Sequence, residues 1–247
     1  MLLPQLAISA DPLTNGALSF ERRGDRWRSL WFVCDGVDRQ EIALIGHPSR
    51  SGDAIIRRLA KPGFKVASAA FRVGPGDPGA GQIYFPLKAG SGRDAGALHA
   101  VNPGMYPAPT PALPSFTSID QPSGRMRCRF DPGARLLLIT PRRTVLVIAD
   151  TRGGLRYEAY PHDAVSITGP AIRLTGGTLQ HAGRHDIYSF ANRGFGYRID
   201  ASRDPARPGA VLTVSRAGST IQTEPAIAYS IADRRYRLPL DSNRPAP

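Results

Sequence analysis

Arg125-Met-Arg-Cys-Arg-Phe130, Arg135-Leu-Leu-Leu-Ile-Thr140, Thr144-Val-Leu-Val-Ile-Ala149 and Leu155-Arg-Tyr-Glu-Ala-Tyr160 succeed one another, and Asp186-Ile-Tyr-Ser-Phe190 and Phe195-Gly-Tyr-Arg-Ile199 continue the series. Each run is short and rich in β-branched or aromatic residues. Each is fenced by Gly, Pro, Asn or Asp, which supply the special backbone angles of tight turns. This is a ladder of strands. Its cleanest member is Arg125–Phe130, where Met126, Cys128 and Phe130 share one face and three arginines the other, the period-2 pattern of a half-buried strand. Hairpins are expected around Asn192-Arg193-Gly194 and Ala217-Gly218.

Working outward, 247 residues with 41% hydrophobic content, 26 Gly and 23 Pro suit one large or two smaller β domains with many turns. The fold class expected is all-β: two sandwich- or barrel-like modules with at most one or two short helices. Leu6–Ser9, Ala17–Glu21, Trp27–Cys34 and Glu41–Ile45 read as the first strands. Ser51–Leu59 is the best helix candidate, near 52–60, because Ser51 or Asp53 can cap it and Ile55, Ile56 and Leu59 share a helical face. From Ala89 to Gly124 strand signals fade. Prolines crowd 102–122, which reads as a linker or surface strap. The expected domains are therefore 1–120 and 121–235, with a flexible basic tail at 236–247. Ile172–Leu174 and Thr178–Gln180 read as two separate small strands.

The formal net charge is +12. Residues 125–247 hold 19 basic and 10 acidic groups, against 13 and 10 in residues 1–124. Only Lys61, Lys65 and Lys88 are lysines, a bias that a GC-rich genome imposes without selection for binding. If a polyanion is bound, the second half is the place to look, with Arg127, Arg129, Arg142, Arg143, Arg156, Tyr157, Arg173, Tyr197 and Arg198 as the candidate basic, aromatic-studded face. Dispersed charge is a weaker footprint than a clustered patch, so nucleic acid is not favoured. Another envelope protein is the competing partner.

Cys34 and Cys128 fall in expected strands; one disulfide and two buried thiols are both open. No apolar run is long enough to span a membrane as a helix. The start, Met1-Leu-Leu-Pro-Gln-Leu-Ala-Ile-Ser-Ala, has the small residues of a leader's end but no positive n-region, and reads either as a clipped leader or as a first strand.

Chemistry-bearing groups are sparse. The glycines at 74–81 alternate with prolines and precede no helix, so they are no phosphate loop, and no cofactor is expected. His181 and His185 are the metal candidates, without a third ligand. His47, His99, Asn102, His162 and Asp163 are the catalytic candidates, since an imidazole beside a carboxylate in a loop is the raw material of general-base chemistry. Asn102-x-Gly104-Met105-Tyr106 resembles the Asn-Ala-Gly-Met-Tyr element of phosphodiester-glycosidase-like domains, where the Asn lies in the active cleft. The likeness covers four residues, has Pro103 in place of the family's small residue, and carries no catalytic residue over. The functional expectation is a non-enzymatic β-rich binding or assembly protein exported to a bacterial envelope (periplasmic or secreted). The alternatives are a hydrolase with loop-borne His and Asp residues, or a cytoplasmic polyanion binder.

Overall fold

The computed structural model describes residues 17–79, 81–102, 113–163 and 169–232. Among them are twenty strands and no helix. In chain order they are β1 (Ala17–Arg23), β2 (Arg26–Leu30), β3 (Phe32–Asp35), β4 (Glu41–Ile45), β5 (Asp53–Ala60), β6 (Val66–Val73), β7 (Asp77–Pro78), β8 (Gln82–Lys88), β9 (Asp94–Val101), β10 (Phe116–Gln121), β11 (Gly124–Arg127), β12 (Ala134–Ile139), β13 (Arg143–Ala149), β14 (Leu155–Pro161), β15 (Ile172–Ala182), β16 (His185–Asn192), β17 (Phe195–Ser202), β18 (Ala210–Arg216), β19 (Ser219–Pro225) and β20 (Ala228–Ala232). All pairings are antiparallel. One sheet has the order β11-β10-β9-β8-β6-β5-β4-β3, with β7 on β8; the other runs β19 down to β12, then β20-β1-β2. The sheets thus change over after Arg127, and the first two strands of the chain belong to the second sheet.

The first sheet rolls up until its two end strands meet. At the seam Gly36 bridges Cys128, the Val37 amide donates to the Arg127 carbonyl (2.9 Å), and the Arg129 amide to the Asp35 carbonyl (2.7 Å). A disulfide between Cys34 and Cys128 locks that seam. Inside the roll, Trp31 makes edge contacts with Phe32, Phe85 and Phe116, and Phe32 stacks on Phe116 at 3.7 Å between centroids. Small residues such as Ala43, Ala95 and Ala100 fill the rest.

The second sheet curls into a half-barrel around Leu136, Leu138, Tyr157, Tyr188, Ile199 and Leu212. Its turn is made inside β15. Gly176 takes φ +71°, and a Cβ at Gly177 would lie 2.1 Å from the Phe190 ring, so only glycine lets the strand pass from β14 to β16. The two small strands expected at 172–174 and 178–180 are therefore one bent strand. Tyr229 fastens the curl: its hydroxyl donates to the Ser202 carbonyl and accepts from the Gly209 amide, both at 3.0 Å.

The rolls pack face to face. Val33, Ile42, Leu44 and Leu59 from the outside of the first meet Leu137, Ile139, Leu146 and Ile148 of the second. At the polar end of this interface the fully buried Asp35 carboxylate accepts from Lys61 Nζ and Arg129 Nε, both at 2.8 Å. Burial pushes this carboxyl up, but the two cations outweigh that effect and hold it below the usual carboxylate range. The Arg129 guanidinium lies 3.4 Å over the Tyr160 ring of the second roll, and the Tyr160 hydroxyl donates to Glu158 (2.6 Å). Arg57 of β5 also reaches across, to the buried Glu21 of β1.

Three expectations need correction. The helix near 52–60 is strand β5: Ala54 and Ile56 point into the roll, while Ile55 is 51% exposed. Two adjacent isoleucines satisfy a helical stripe on paper, but burial alternates with period 2. The fading of strand signal after Ala89 does not mean the absence of strands. Asp94–Val101 is β9, whose small residues suit a tight interior and score poorly as strand formers. Phe116–Gln121 is β10, so the latter part of the expected Pro-rich strap lies within the sheet; its positions 103–112 fall outside the described residues, as do Leu6–Ser9 and the tail.

Two outcomes follow. Replacing Cys34 and Cys128 together by alanine, which frees a closure spanning 94 residues, should lower stability by about 2–5 kcal/mol in urea titrations. Asp35→Asn strands two buried cations and should cost about 3–5 kcal/mol by the same titration, with a larger effect than Asp38→Asn at the exposed Arg127 pair.

Candidate binding site at the mouth of the first roll

β6 and β8 pair only at Arg72–Lys88 and Val73–Leu87, because the β8–β9 hairpin turns back at Ala89–Arg93. Beyond that turn β6 runs on alone. Val66, Ala67, Ser68, Ala69 and Ala70 are all exposed, and no described residue pairs with their outer edge. Across the gap stands the β10–β11 turn, held by Arg39, which donates to the Ser123 carbonyl (2.8 Å) and the Arg125 carbonyl (3.0 Å).

Between these walls lies a cavity of about 260 Å³ lined by Ile56, Arg58, Ala67–Ala69, Phe71, Gln121 and Ser123. Three consecutive β6 residues line it, so it runs along the strand's edge rather than its face. Ile56 and Phe71 connect its floor to the core of the roll. Arg58 spans the mouth, donating to Glu41 (2.7 Å) and to Gln121. The site combines an apolar floor, one guanidinium strut and an open backbone edge. That composition suits recognition: its hydroxyls are Ser68 and Ser123, and no imidazole or carboxylate is among its lining residues.

The histidines expected to be catalytic are dispersed. His99 Nε2 lies 3.2 Å from Asp120, which Arg125 grips at 2.7 and 2.8 Å, and the Tyr84 ring is 4.6 Å from the imidazole. Burial lowers the His99 pKa, partly opposed by Asp120. His47 hydrogen-bonds Ser29 at 3.1 Å on an exposed surface. His162 is buried between the rolls, 3.1 Å from Thr144 and edge-on to Phe64. Asp163 is exposed beside it, and the Asn102 amide donates to the Gly81 carbonyl. No described contact joins the three histidines. The element that resembles phosphodiester glycosidases lies, after Asn102, outside the described residues.

His181 bonds Asp186 and His185 bonds Asp200, each at 2.6 Å. His181 faces Asp186 across the β15–β16 pair, so His185, one residue before Asp186, lies on the opposite side of the sheet. No group of three metal-ligating side chains occurs among the described residues. The expected basic face is divided. Arg127 pairs with Asp38, Arg129 with Asp35, Arg143 with Glu224, and Arg156 and Arg173 with Glu158. Tyr157 and Tyr197 are core residues, and Arg142 and Arg198 are exposed. No family model, no curated protein and no solved structure matches this chain.

The mouth residues were not singled out by pattern. Arg58, Gln121 and Phe71 come from three strands, and no local spacing marks which edge of a rolled sheet stays open. The one signal was the run Val66-Ala-Ser-Ala-Ala70, a strand without a single large side chain after its first residue.

Burial pushes the His162 pKa down to about 4, with Asp35 and Lys61 pulling in opposite senses. The unfolded imidazole titrates near 6.5. The neutral buried ring therefore contributes fully above pH 6.5, and that contribution is lost as pH falls towards 4. Between pH 7.5 and 4.5 the wild type should lose about 2–3 kcal/mol more stability in urea than His162→Gln does.

Proposed function

We propose that this chain is an exported, non-enzymatic binding or assembly protein of a bacterial envelope, and that it engages its partner at the mouth of the first roll. The observation that carries export is the Cys34–Cys128 bond: a disulfide built into the closure of a fold persists in an oxidising compartment and is rare in a reducing one. Binding rather than catalysis is supported by the contrast between the open mouth and the scattered imidazoles. A polyanion site in the second half is weakened by the carboxylates that already occupy five of its arginines. No helix among the described residues is long and apolar enough to cross a membrane.

Fractionation of the source cells with thiol alkylation, read by intact mass, tests this reading. The expected result is a protein outside the cytoplasm whose two cysteines react only after reduction. A cytoplasmic protein with both thiols free overturns it, and salt-dependent nucleic-acid binding then becomes the leading account.

A further inference from the structure

We infer that the free edge of β6 accepts an extended peptide with acidic flanks as an added strand. This deepens the reading of the mouth as a binding site and rests on it. Backbone direction fixes which groups are on offer. The Val73 amide donates to Gly52 and the Lys65 carbonyl accepts from Ala60, so the odd-numbered residues of β6 turn their peptide groups towards β5. Val66, Ser68 and Ala70, at alternate positions, present theirs to the gap. Six backbone donors and acceptors thus line an exposed edge, and each can add a ladder bond to a docked chain.

Sheet edges are normally protected by prolines, charges or bulges. None occurs from Val66 to Ala70. The cavity gives the edge selectivity. Alternate side chains of an added strand face opposite sides, so one set enters the 260 Å³ cavity over Ile56 and Phe71 while the other stays in solvent. Alanines at 67 and 69 leave that space open.

Charge decides between a second copy and a different partner. Lys65 stands at one end of the edge, and Arg72, Lys88 and Arg93 lie at the other. Lys65, Lys88 and Arg93 have no ion pair among the described residues, and Arg72 has only an exposed contact with Asp53 at 3.5 Å. Asp53 and Asp94 leave that end net positive. If two copies paired β6 to β6, the gap-facing residues would meet as Val66 with Ala70 and Ser68 with Ser68, so Lys65 of one copy would lie opposite Phe71 and next to Arg72 of the other, crowding like charges at both ends. A peptide with carboxylates at its ends and alternating apolar residues between them meets the edge, the cavity and the flanking cations together.

The test uses the purified full chain and two blocked, fluorescein-labelled peptides, Glu-Glu-Val-Thr-Val-Thr-Val-Glu-Glu and the same sequence with Lys for every Glu, followed by anisotropy. The acidic peptide should bind, with the lysine version at least about tenfold weaker. Ser68→Pro removes one gap-facing amide without touching the β5 ladder and should weaken binding about tenfold or more with the melting temperature retained. Ala69→Phe, which fills the cavity, should weaken it independently, and serves if the proline variant does not fold. Equal binding of both peptides overturns the acidic class while leaving the mouth as a site. No binding of either, or binding indifferent to both variants, overturns docking at the mouth itself. A concentration-dependent dimer abolished by Ser68→Pro in sedimentation assigns the edge to a second copy instead.

Discussion

Asp35 is the point on which both rolls depend. Its backbone carbonyl closes the seam of the first roll, and its neighbour Cys34 carries the disulfide. Its carboxylate gathers Lys61 from the β5–β6 turn and Arg129 from the crossing to the second roll. Arg129 then passes the connection on, through the face of Tyr160, to Glu158, Arg156 and Arg173. An ion pair buried this deeply contributes little net stability over an apolar substitute, because both partners lose their water. What it contributes is geometry: an isolated cation at either position is costly, so the turn, the seam and the second sheet are held to one mutual arrangement.

That arrangement explains why the mouth stays open. The β5–β6 turn is anchored from below by Lys61, whose amide also donates to the Gln40 carbonyl, and by Phe64 against His162. The β10–β11 turn is anchored by Arg39. Both walls are therefore tied to the β3–β4 turn through Gln40 and Arg39, and Arg58 bridges across to Gln121. The β8–β9 hairpin, two strand positions wide, stops short of the gap. An edge held rigidly in the absence of a partner loses little conformational freedom when one arrives.

Much of the second roll was legible in the sequence because its strands alternate over distances that a period-2 pattern resolves, and because Asn192-Arg193-Gly194 and Ala217-Gly218 announce their hairpins, with Arg193 and Ala217 themselves in the left-handed region. The first roll was harder to read. Its interior is narrow and rich in alanine, so β9 lacks the bulky residues that mark strands, and Ile55-Ile56 imitates a helix stripe, although Phe64–Val73 reads as the strand it is. The site was harder still. Arg58 looks like any surface arginine until β5 places it inside the roll, and the arginines that seemed free in the second half meet carboxylates up to 94 positions away. Long-range pairing of that kind leaves no local trace.

The order of strands in the second sheet sets the order in which the chain can fold. β1 lies between β2 and β20, and Ser19 hydrogen-bonds Ser230 across 211 positions. The first of the described strands to be synthesised must therefore wait for the last before the half-barrel is complete, and β12 gains its second neighbour only at that moment. Contacts of such sequence separation form slowly, since loop closure precedes any gain from packing. The half-barrel thus draws strands from both ends of the described chain. A cut near residue 120 would leave the first half holding β1 and β2 without their sheet, and without β11 and the cysteine that closes its roll.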